Sequence, residues 1–138
     1  MDPLERLDKL LGTVGLLRAK FSMIMKTIHD TRLDFKKRLA PAPEELSPLM
    51  ARAQELFAEL LKAGEFLSAA RDNLIQKRTE VFEDYLEDWV LTQTEERFRA
   101  IEDYLVELSH TRINGFHPDP EIWEEGLSLI EQTLPRKT

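Results

Sequence analysis

The chain has 138 residues, of which 42% are hydrophobic and 33% charged, with a net charge of −7 and no cysteine. This composition fits one folded domain, excludes disulfides and thiol metal sites, and belongs neither to a disordered chain nor to a membrane protein. The acidic balance is a poor match to nucleic acid, because phosphate neutralisation dominates that affinity.

Few glycines and abundant Leu, Glu, Ala, Arg and Lys favour helix throughout. In the opening third, Leu4, Leu7, Leu11, Val14, Phe21, Met25, Ile28, Phe35 and Leu39 recur at steps of three and four. Only a long α-helix places such residues on one side. The spacing predicts a helix over 3–39, starting at the capping residue Asp2 with Pro3 at the first helical position. Lys36, Lys37 and Arg38 suit the negative end of its dipole. The most apolar stretch, 10–28, carries Arg18, Lys20 and Lys26 and fails as a membrane span. The acidic, helix-patterned start is not a secretory signal, so the expected location is cytoplasmic.

Ala40-Pro41-Ala42-Pro43 opens a stiff linker over 40–47, short enough for the next helix to fold back antiparallel. Ser47-Pro48 marks the second start. Its helix, 48–91, shows Leu49, Ala53, Leu56, Leu60, Ala63, Leu67, Ala70 and Leu74 before the stripe drifts onto Phe82, Tyr85, Leu86 and Trp89. Thr92 with Glu95 reads as a capping box for a third helix over 95–113, carrying Phe98, Ile101, Leu105 and Leu108, and one rod continuous with 48–91 is the alternative. Asn114-Gly115 closes it, and Asp119-Pro120 starts a last helix over 120–134 with Ile122, Trp123, Leu127, Ile130 and Leu134. The expected fold is all-α: one elongated antiparallel hairpin or bundle of about four helices, two of them long.

The chemistry is sparse. Glu107 and His110 form a lone Glu-x-x-His, whereas a carboxylate-bridged di-metal bundle needs two such pairs and two further glutamates. Nothing activates a serine or histidine as a nucleophile, and no glycine-rich phosphate loop occurs. No catalytic residue, cofactor or metal site is therefore read from the sequence. Charge is segregated instead: residues 1–40 carry +4 and residues 41–138 carry −11.

Arg18 and Arg32 interrupt the first stripe, and Tyr85, Glu87, Asp88 and Trp89 combine acid with the aromatics enriched at binding hot spots. These six are the candidate partner contacts. The expected role is that of a non-enzymatic interaction module (an adaptor, a chaperone-like factor or a small subunit of a larger assembly) that offers a helical face to a helical protein partner. The alternative is an interior small-molecule site, enzymatic or sensory, built on Arg18, Arg32 or His110. A helix over 3–39 is about 54 Å long, which leaves more stripe than one chain readily covers. Self-association, most simply as a two-fold homodimer, is the expected consequence.

Overall fold

A computed structural model describes residues 2–77 and 80–134, and the side chains of 2–76 and 92–134. The described residues form four helices: α1 (Pro3–Lys37), α2 (Leu46–Lys77), α3 (Glu80–His110) and α4 (Glu121–Thr133). The all-α architecture expected from the sequence is what forms.

The helix ends follow from local chemistry. Asp2 caps α1 by accepting the Leu4 N–H at 3.2 Å, with Pro3 in the first turn. At the other end the Ala40 N–H reaches the Phe35 carbonyl (3.0 Å) and the Leu39 N–H that of Lys36 (3.1 Å). This paired closure needs a left-handed residue, and Leu39 supplies it with φ 56°. Leu39 thereby leaves the stripe on which the sequence placed it and is 95% exposed.

The second start also differs. A turn at Glu44-Glu45 leads into α2 at Leu46, so Ser47 lies inside the helix, where its hydroxyl accepts from Arg32. At α4 the Asp119 carboxylate accepts the Glu121 N–H at 3.0 Å, which is the capping role expected of it.

The boundary expected between 91 and 95 falls inside α3. Thr94 is 1% exposed and belongs to a buried row with Phe98, Ile101, Leu105 and Leu108, so Thr92 and Glu95 lie in mid-helix and start nothing. α3 also ends at His110, short of the expected 113. Asn114 and Gly115 then form a turn bridging Ile113 to Phe116. Gly115 has φ +79°, and a Cβ there would lie 2.8 Å from the Phe35 ring, so both backbone and space call for glycine.

Successive helices run antiparallel. Asp8 pairs with Arg71 and Arg32 with Ser47 across α1 and α2. Arg97 meets Glu59, and the Tyr104 hydroxyl donates to the Leu49 carbonyl, across α2 and α3. α4 returns beside α1, joined by the Thr13 and Thr133 hydroxyls at 2.8 Å and by Lys20 with Glu125. Each helix packs on its two neighbours around an up-down-up-down bundle.

The core is a set of heptad rows. On α1 it reads Leu7, Leu10, Val14, Leu17, Phe21, Ile24, Ile28, Thr31 and Phe35; on α2, Leu46, Leu49, Ala53, Leu56, Leu60, Ala63, Leu67, Ala70 and Leu74. Alternating steps of three and four are the repeat that keeps two helices in contact along their length. The α1 row is turned from the expected one: Leu10, Leu17 and Ile24 are buried, while Leu4, Leu11 and Met25 flank the core. The cause is that α1 is covered from two sides, by α2 and by α4, and its most buried line faces between them. The long seam is thus closed within a single chain.

Candidate partner-binding surface

The buried interior offers little chemistry. Among the described residues its polar members are Thr13, Thr31 and Thr94, together with the Tyr104 phenol. No buried side-chain nitrogen or oxygen among them lacks a partner, and no three His, Asp or Glu side chains converge as metal ligands. Burial pushes the Tyr104 phenol well above its ordinary range, and the charge of Glu107 adds to the shift. The groups on which an interior ligand site was expected to rest lie outside this core. His110 ends α3 in solvent, Arg18 is exposed, and the half-buried Arg32 is tied to Ser47 at 3.2 Å.

The surface of the described residues includes two open depressions. One, of about 710 Å³, lies at the α3–α4 connection beside Arg112, Asn114, His117 and Trp123. Arg112 donates there to the carbonyls of Ser109 and Thr111. The other, of about 620 Å³, is a groove between α1 and α2. Its floor is Leu11 and Val14, and Gly15, Gly64, Ser68 and Ala69 keep it open because their side chains are small or missing. A Cβ added at Gly15 would meet nothing within 4 Å.

The outward face of α1 lies apart from this groove, and Lys9 on that face reaches the Gln132 carbonyl of α4. Leu16 is 53% exposed and Met23 46%, and Gly12 and Ala19 between and beside them are exposed as well. Leu61, 37% exposed, lines the same groove from α2. Gly12 is as open as Gly15: a Cβ added there would meet nothing within 4 Å. The outer row went unread because the stronger inner one shares the same helix and masks its period.

Of the six candidate contacts, Arg18 lines the groove, its guanidinium 6.0 Å from the Phe57 ring centroid. Arg32 lies fourteen residues further along α1, about 21 Å away, at the bundle end. The structure therefore does not bring the two arginines together. Tyr85, Glu87, Asp88 and Trp89 lie on α3, and their side chains are outside the described residues.

No helix among the described residues is long and apolar enough to cross a membrane. Comparison with protein-family models, with curated proteins and with solved structures finds no match to this chain.

Proposed function

We propose that this protein is a non-enzymatic interaction module that receives a helix of a protein partner on the outer face of α1. One observation carries the reading: α1 is apolar on two opposite sides, and only one is covered. The inner row from Leu7 to Phe35 is buried by α2 and α4, whereas Leu16 and Met23 stand in solvent on the outer side. Exposed apolar surface on a helix marks a place where a partner helix can dock. Self-association, expected as cover for the α1 seam, loses that motive because α2 and α4 bury the inner row.

The interior-ligand alternative gains no comparable support, since its three polar groups lie at the surface. The test is affinity capture with the wild-type chain and with the double substitution Leu16→Glu, Met23→Glu. Both positions are exposed, so the thermal melt followed by circular dichroism stays nearly unchanged. Partners recovered by the wild type are lost from the variant. An identical set recovered by both would refute the proposal.

A further inference from the structure

The outer face of α1 holds more than exposed apolar atoms. Glu5, Lys9, Gly12, Leu16, Ala19, Met23, Lys26 and Asp30 follow one another at alternating steps of four and three. All eight are exposed. This is a second heptad row, nearly opposite the buried one on the same helix, and its apolar part spans two heptads. Both ends are charged, and the order is a palindrome: acid, base, four uncharged residues, base, acid.

That order decides which helix fits. In a coiled-coil contact, residues at equivalent heights along the seam face each other. If a second copy of α1 lay antiparallel with its apolar stretch in register, Lys9 would face Lys26 and Glu5 would face Asp30 at both ends. A parallel copy would set Lys9 against Lys9 and Lys26 against Lys26. Each orientation that buries Leu16 and Met23 thus opposes like charges four times over, and like charges across a helix seam suppress pairing.

A complementary helix has the reverse order: base, acid, two apolar heptads, acid, base. Because the pattern is a palindrome, such a helix matches in either direction. Both lysines are at the surface: Lys26 is 79% exposed and pairs with Asp30 at 3.6 Å. Lys9 reaches the Gln132 carbonyl from an exposed position.

Resting on the docking role proposed above, we infer that the α1 outer row selects a helix of a different protein, with an acidic residue at each end of a two-heptad apolar seam, and rejects a second copy of this chain. The probes are two synthetic helices of about four heptads each, long enough to hold helical structure. Both carry leucine at the seam positions of the two central heptads. One has glutamate next to the leucines and lysine beyond; the other has the two exchanged. Their composition and net charge are identical, and the second reproduces the order found on α1.

Fluorescence anisotropy of each labelled peptide, titrated with the full chain, reads the affinities. The glutamate-flanked peptide binds about tenfold more tightly, a ratio that several seam charge pairs of ordinary strength produce. The Leu16→Glu, Met23→Glu variant loses this binding. Equal affinities, or a preference for the lysine-flanked peptide, overturn the charge selection and leave the docking surface standing. Binding of neither peptide overturns the selection and the docking role together.

Discussion

Tyr104 shows how a single side chain ties the bundle together. Its ring packs 5.4 Å from Phe21 of α1, and its hydroxyl donates to the Leu49 carbonyl of α2 at 3.1 Å, so one residue of α3 holds three helices. The phenol is kept neutral in the folded state, mainly by burial, whereas in the unfolded chain it ionises near its ordinary value of about 10. Its folded pKa is raised. The associated stability is therefore whole below about pH 10 and is lost as the pH climbs past that value. Tyr104→Phe should cost about 1 kcal/mol at neutral pH through the missing hydrogen bond. The gap between wild type and variant should narrow from roughly pH 9 to pH 11. Urea denaturation across that range checks both; a gap that stays constant would mean that the phenol does not ionise on unfolding. Nothing in the heptad pattern distinguished Tyr104 from its neighbours, since it lies beside the α3 row and its partner carbonyl is 55 residues away.

At the scale of the helix, α1 is two-faced with a one-residue phase. Leu17 is fully buried and Leu16 is 53% exposed, although both are leucines in the same turn. Leu17→Ala should cost about 2–5 kcal/mol, the range for a buried leucine, while Leu16→Ala should stay within about 0.5 kcal/mol. Chemical denaturation of the pair tests the phase of the helix, and similar losses for both would contradict it.

The sequence made the existence of α1, α2 and α4 legible, because capping residues, prolines and apolar spacing all agree there. It hid the end of α2. Lys77-Arg78-Thr79-Glu80 contains neither glycine nor proline, and the apolar period runs on into α3. What returns α3 antiparallel is long-range packing, such as Arg97 on Glu59 and Tyr104 on Leu49, which local periodicity does not encode. The candidate surface was less legible still. Arg18 was found as an interruption in the apolar stripe, whereas Leu16, Ala19 and Met23 looked like ordinary members of a helix.

For the whole molecule, the decisive relation is between helix length and cover. A helix the length of α1 exposes a seam that must be buried, and a dimer is one way to bury it. Here the fold-back of α2 along most of α1, with α4 on the other flank, does so within one chain. The remaining apolar surface then lies on the outside, framed by lysines that set like charge against a second copy. The charge difference between the first forty residues and the rest is partly used inside the bundle, in pairs such as Lys20 with Glu125.

The unfolding temperature as a function of protein concentration tests this account most directly, with the mass from light scattering measured alongside. A single chain that covers its own core melts at one temperature from low micromolar to near-millimolar concentration and scatters as a 16.1 kDa particle. A melting temperature that climbs with concentration, together with twice that mass, would show that a second copy completes the core and that the α1 seam is not closed from within.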